Sequence, residues 1–170
     1  KPSLFEPLEI CNPKWDASPQ GISIGGYGLF LRTEDIAKFG QLYLQRGKWK
    51  GKELIHSSWI KQATSKQVSN GRNLLNDWQQ GYGFQFWRCR HNAYRGDGAF
   101  GQYCIVMPDQ AAVLAITGGL GDMQEVLDLV WRHLLPTMGP GSLSAAPETH
   151  AALASRLSDL SFVPLEGAFA

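Results

Sequence analysis

The sequence has no long apolar run, no excess of either charge, and only three cysteines among its 170 residues. Its longest apolar stretch, Ala111 to Ile116, is far short of the roughly 18 residues that a membrane-spanning helix needs, so no such span is expected. Sixteen basic residues against fifteen acidic ones leave a formal net charge of +1. With no basic stripe interleaved with aromatics, the footprint of a nucleic-acid binder is missing. Cys11, Cys89 and Cys104 are odd in number and widely spaced, so they cannot form a fully paired framework within one chain, and they assign no redox compartment. None of His56, His91, His133 and His150 pairs with another at helical ligand spacing, so no metal site is expected. Gly25, Gly26 and Gly28 fail to complete a Gly-x-Gly-x-x-Gly cradle because Phe30 and Leu31 stand where the third glycine would fall. No cofactor is therefore expected.

What remains is an ordinary globular composition, 44% hydrophobic and 18% charged. Residues 1–28 are rich in Pro and Gly and read as irregular connection. A helix follows. Thr33 is placed to cap it, Glu34 and Asp35 suit its positive first turn, and Ile36, Phe39, Gly40, Tyr43 and Leu44 recur on one face. Gly47 is placed to end it. A second helix is expected from Ser57 to about Thr64, with Trp59, Ile60 and Ala63 inward. Residues 65–78 are polar and read as a surface loop. Three strands are expected at 83–88, 102–107 and 112–117, the last two joined by the turn residues Pro108-Asp109-Gln110. A helix from about Gly121 to Leu135 closes at Pro136.

The tail changes character at Gly139-Pro140-Gly141-Ser142-Leu143-Ser144, which reads as a linker to a short Ala/Leu helix from about Pro147 to Leu160. Helices around an antiparallel meander define an α+β fold, with one domain over 1–138 and a linker and tail over 139–170. Cys104, inside Tyr103-Cys104-Ile105-Val106, reads as a buried, inert thiol.

The order of several stretches resembles the C-terminal half of the serine β-lactamase/penicillin-binding-protein-like hydrolases. These are Leu4 to Leu8, Gly25-Gly26-Tyr27-Gly28-Leu29 leading into Thr33 to Gly40, Gly47-Lys48-Trp49 with Trp59, Gly81 to Phe84, and Gly96-Asp97-Gly98-Ala99-Phe100-Gly101-Gln102 leading to Pro108. The likeness runs over about residues 3–138 and implies a partial β-lactamase/transpeptidase-like fold. In that family a Ser-x-x-Lys pair supplies nucleophile and base, a tyrosine motif assists proton transfer, and a Lys-Thr-Gly-like strand walls the site. A serine hydroxyl needs such activation, and the wall strand's backbone N–H faces the developing oxyanion.

Only the third motif aligns here, with Gly96-Asp97-Gly98-Ala99. The resemblance implies Ala99 as backbone oxyanion donor, Gly98 as the residue keeping the strand edge open, and Gly96, Asp97, Gln102 and Tyr27 as substrate-lining groups. On the residues alone, Gly-Asp-Gly reads equally as a tight turn. Gly96 stands where the family has a cation or histidine, and Asp97 where it has threonine. That departure points toward ester or amide hydrolysis and away from β-lactam carboxylate binding.

Ser58-Trp59-Ile60-Lys61 spells Ser-x-x-Lys but falls where the family has a structural helix, so Ser57 and Ser58 read as caps. Arg95-Gly96-Asp97 spells an integrin tripeptide without a display loop. His91 lies near the wall strand and reads as a surface histidine. Two functional expectations follow. One is part of a serine hydrolase acting through an acyl-enzyme, with its nucleophile in an N-terminal half outside this sequence and little turnover alone. The other is a non-catalytic binding or self-associating module derived from such a hydrolase.

Overall fold

A computed structural model describes residues 2–139, 141 and 144–161. The chain divides into two compact units, residues 1–139 and 140–170. Of the expected linker, Pro140, Ser142 and Leu143 lie outside the described residues, as does the chain beyond residue 161.

The first unit opens with irregular backbone carrying a minimal antiparallel pair, β1 (Lys14–Trp15) and β2 (Leu29–Phe30). Helix α1 (Thr33–Leu44) keeps the expected acidic first turn, but Arg32, in extended conformation, occupies the cap position and Thr33 is already helical. Asp35 is buried and accepts from Lys38 Nζ at 2.7 Å. At the other end the Gly47 N–H closes back on the Leu42 carbonyl at 2.8 Å. Gly47 has φ +87°, and a Cβ there would lie 1.8 Å from the Ile55 carbonyl oxygen. Only glycine fits that combination. A short hairpin, β3 (Lys48–Trp49) and β4 (Lys52–Glu53), leads to α2 (Ser57–Thr64).

The second helix corrects two sequence expectations. Its cap is His56, whose ring accepts from the Ser58 N–H, so neither serine caps it with its own side chain. Ile60 and Ala63 are buried as expected, whereas Trp59 is half exposed and stacks on Phe84 with ring centroids 5.5 Å apart.

The central sheet has four antiparallel strands in sequence order: β5 (Trp87–Arg88), β6 (Tyr94–Gly98), β7 (Gln102–Met107) and β8 (Ala112–Ile116). The expected strand over 83–88 shrinks to its last two residues. A strand that patterning alone did not indicate, β6, lies beside it. Its register pairs Gly98 with Gln102 and Tyr94 with Val106.

Alternation along β7 divides the core. Tyr103, Ile105 and Met107 face Leu127, Val130 and Trp131. Val106 faces the other way, in a cluster with Tyr94, Phe86, Tyr43, Ile60 and Ala63. Ile105, Val106 and Met107 are fully buried, and burial of such side chains stabilises by roughly 1.5–3 kcal/mol each. On this second face α1 lies against β7 and β8. A Cβ on Gly40 would meet Val113 Cγ1 at 2.5 Å and Cys104 Sγ at 2.9 Å, so glycine sets the approach of helix to sheet. A third cluster, Phe5, Leu8, Ile10 and Leu42, fixes the N-terminal segment on α1.

Helix α3 (Met123–Leu129) is capped by Asp122, which accepts from the N–H groups of Gln124 and Glu125 at 3.1 and 3.2 Å. The single helix expected to Leu135 instead widens into a π turn over Val130–Leu134 and ends in a 3-10 turn over Leu135–Thr137. In the second unit, α4 (Pro147–Ser158) is a helix whose residues are all exposed. No helix among the described residues is long and apolar enough to cross a membrane.

Candidate active-site cleft

A cleft of about 590 Å³ opens on the α1 side of the sheet. One wall is the β6–β7 hairpin through Gly96, Asp97, Gly98, Gln102, Tyr103 and Cys104. The other is Leu29 to Leu31 and Ile36, with Thr117 closing the end. Four of the residues expected at a site, Gly96, Asp97, Gly98 and Gln102, therefore come together. Gly96 faces open space, with nothing within 4 Å of where a Cβ would stand, so the strand edge is bare backbone there.

Two expected residues fall elsewhere. Ala99 does not line the cleft; it is exposed and begins the three-residue turn beyond β6. Its carbonyl accepts from Gln102 Nε2 at 3.3 Å, and its N–H has no acceptor among the described residues. Tyr27 is 74% exposed and likewise outside the lining.

The hairpin turn is tied to the strand end opposite. Gln102 Nε2 donates to the Gly118 carbonyl at 2.5 Å, Gln102 Oε1 accepts from the Gly118 N–H at 3.4 Å, and the Leu120 N–H reaches the Phe100 carbonyl at 3.0 Å. Gly118 permits this approach, since a Cβ there would lie 3.2 Å from the Gly101 carbonyl. Thr33 and Thr117 hydroxyls meet at 3.3 Å, joining the start of α1 to the end of β8. The amide of Gln102 is thus spent on holding the wall in place.

Behind the wall stands a polar centre in the segment that reads as surface loop. Asp77 is fully buried. Its Oδ1 accepts from the Arg90 N–H at 2.8 Å. Its Oδ2 accepts from Arg90 Nη2 (2.7 Å), Arg90 Nε (3.0 Å), Gln124 Nε2 (2.9 Å) and Trp131 Nε1 (3.0 Å). Burial pushes this carboxyl up, but the Arg90, Gln124 and Trp131 donors outweigh it and hold the group below its ordinary value. The Asp77 carbonyl accepts from Arg95 Nη1 at 3.0 Å.

Arg95 is itself fully buried, with its guanidinium 4.3 Å from the Trp78 ring centroid and its Nε donating to Asp97 at 3.1 Å. That burial removes the Arg-Gly-Asp tripeptide from any display role. Asp97 is pushed above its ordinary value by burial, against the pull of Arg95. Asp77 and Arg95 carried no periodic signal in the sequence. Only the charge itself, flanked by Trp78 and Tyr94, could have marked them.

No serine, lysine or histidine lines the cleft. Its thiol, Cys104, is buried and pushed up to about 12 by desolvation, so it is protonated and inert at neutral pH. Tyr103 is pushed up to about 12 by burial, and its hydroxyl is engaged with the Met123 carbonyl at 2.7 Å. What the lining offers is shape: apolar side chains opposite an open glycine edge. Ser58 lies outside it on α2, with its Oγ 2.6 Å from His56 Nδ1. His91 is exposed, in the turn before β6, at the Tyr94 end of that strand. Among the described residues no group of three or more His, Cys, Asp or Glu side chains is placed to hold a metal ion.

The mixed helix and antiparallel-sheet fold that frames this cleft is shared with β-lactamase-like hydrolase structures. Among the solved structures this chain is similar to are "Putative 6-aminohexanoate-dimer hydrolase from Bacillus anthracis" at a TM-score of 0.51 and 20% identity over 85% of this chain, and "Crystal structure of putative beta-lactamase from Bacteroides dorei DSM 17855" at 0.51 and 14% over 69%. The match covers 32% of the first neighbour's chain and 42% of the second's, so this sequence spans well under half of each. No family model matches the sequence, and no curated protein does.

Proposed function

We propose that this chain supplies one wall of the acyl-transfer site of a serine hydrolase that cleaves esters or amides, with the nucleophile on a polypeptide segment outside this sequence. The observation that carries the reading is the cleft itself: Gly96, Asp97 and Gly98 on one strand facing an apolar wall, with no serine among the lining residues, the Cys104 thiol buried, and the Thr117 hydroxyl against Thr33. The two solved structures named above bear the titles of a putative 6-aminohexanoate-dimer hydrolase and a putative beta-lactamase, and each is more than twice as long as its matched region.

In this reading a serine alcohol attacks the carbonyl, an acyl-enzyme forms, and water releases it. The chain contributes backbone: the N–H of Ala99, which has no acceptor among the described residues and directly follows the cleft-lining Gly98, donates to the oxyanion. Gly96 and Gly98 leave room for the acyl group. Asp97 shapes the wall through Arg95, and Tyr27, exposed two residues before the lining residue Leu29, is the group offered to the outer part of a bound substrate.

The test uses a fluorophosphonate probe and a p-nitrophenyl ester, on the chain alone and after addition of an N-terminal half carrying Ser-x-x-Lys. Labelling and turnover only in the mixture support the proposal. Labelling of Ser58 in the chain alone overturns it.

A second reading has its own support. One long side of β8 has no neighbouring strand among the described residues, and Phe30, Phe100 and Tyr27 are more than half exposed. An open strand edge favours strand addition, and exposed apolar side chains, which here lie outside β8, favour association. Sedimentation showing a concentration-dependent dimer, with no acyl transfer in any mixture, would favour the binding module.

A further inference from the structure

At the opposite end of β6 from the glycine edge, a second cavity of about 510 Å³ opens between the end of α1, α2 and the Tyr94–Pro108 end of the sheet. Its floor is apolar: the rings of Tyr43 and Tyr94, with Leu44, Ile60 and Pro108. Its rim carries two cations, Arg46 and Lys61, and no carboxylate lines it. Neither cation forms an ion pair among the described residues.

The charges are placed by the fold. Lys61 stands four residues after Ser57, so ammonium and hydroxyl share one face of α2, with Ser57 at its first position and Lys61 in its last turn. Ser58 Oγ is already held by His56, which leaves Ser57 as the free hydroxyl on that rim. Arg46 follows α1 in the left-handed conformation, φ +54°, held there by the closure of the chain at Gly47.

A separate observation points inward. Tyr94 is 5% exposed, lines this cavity, and its hydroxyl makes no hydrogen bond among the described residues. That hydroxyl is not among the fully buried polar atoms left without a partner, so it is accessible and free to donate to a partner in the cavity. A ligand acceptor in the cavity would supply that partner.

We infer that this cavity binds a small organic carboxylate, its anionic head between Arg46 and Lys61 and its apolar body over Tyr43, Ile60 and Tyr94. The volume falls in the range of ordinary small-molecule sites. The apolar floor selects against inorganic anions, which gain nothing from burying it. The guanidinium suits a planar carboxylate through two parallel hydrogen bonds.

The experiment titrates the full chain with 4-phenylbutyrate, with its neutral amide, and with inorganic phosphate, by calorimetry and by amide chemical shifts. The acid is expected to bind, with shifts centred on Tyr43 to Arg46 and Ser57 to Thr64. The amide binds at least tenfold more weakly and phosphate does not bind at the same concentrations. Arg46→Gln with Lys61→Gln lowers affinity for the acid at least tenfold. Tyr94→Phe lowers it about threefold. Because neither cation has an intramolecular partner, the glutamine variant keeps its thermal midpoint, which separates lost binding from lost folding. Equal affinity for acid and amide, unchanged affinity in the double variant, shifts centred on Gly96 to Gln102, or no binding at millimolar acid would each overturn the inference.

Discussion

On the α3 side of the sheet, Asp77 collects five hydrogen bonds on one carboxylate, and Arg95 lies among aromatic rings with no solvent contact. On the α1 side, a few ångströms of strand away, Gly96 looks into empty space. The difference teaches which face holds the unit together and which is left for something else to enter. A polar group deep in a protein must be satisfied or it destabilises the fold, and Asp77 is satisfied by residues 13 to 54 positions distant in sequence. The cleft face carries no such closure; its backbone edge is exposed by the absence of side chains.

The contrast breaks most visibly at the crowded face. Asp77→Ala leaves the Arg90 backbone N–H and the Trp131 N–H without their acceptor, while the Arg90 guanidinium keeps Asp128, and should lower unfolding stability by about 3 kcal/mol or more, read as a fall in the urea midpoint. Retention of the wild-type midpoint would show that the hub is dispensable. Next in size is Gly40→Ala, whose methyl enters the space of Val113 and Cys104. Overpacking of this kind costs about 1–3 kcal/mol, and Val113→Ala in the same chain should restore most of it.

A smaller effect is expected from pH. Because the Asp77 carboxyl is held below its ordinary value of 3.8 in the folded state, the unfolded chain takes up its proton first. The stability it contributes is present above pH 4 and is lost as pH falls through the folded-state value. Asp77→Asn should flatten that acid limb in a pH series of urea midpoints; an identical limb would place the proton uptake elsewhere. The smallest effect belongs to Gly96→Ala. Its methyl meets nothing within 4 Å, so stability should change by less than about 0.5 kcal/mol. A larger loss would mean that the cleft is not open as described.

The same two faces explain what was legible in the sequence. Helix α1 and the buried part of α2 follow from the spacing of their apolar residues, and strands β7 and β8 from continuous apolar runs, which in β7 reflect burial on both faces. Strand β6 did not. Tyr-Arg-Gly-Asp-Gly has two charges and two glycines, and it is a strand because β7 pairs with all five residues. Patterning could not indicate it; only the family resemblance placed a wall there.

Trp59 was misread because a tryptophan at the right helical spacing looks like core, whereas here it stacks on Phe84 at the surface. Asp77 sat in a polar run whose burial depends on Arg90, Gln124 and Trp131 arriving from three other places. The role of Gln102 was hidden for the same reason: its partner, Gly118, is sixteen residues away.

The widened turn at Val130–Leu134 has a consequence for how that centre is assembled. A π turn takes in one residue more than the α-helical count, which rotates everything after its start by about 100° relative to an unbroken helix. Trp131 lies inside this turn and delivers its indole N–H to Asp77. Deleting a single residue from 132–134 would let the helix relax to regular winding and rotate Leu135 and Met138 relative to the cluster that holds Trp131. Spacing, as much as residue identity, is therefore what this stretch of chain has to preserve.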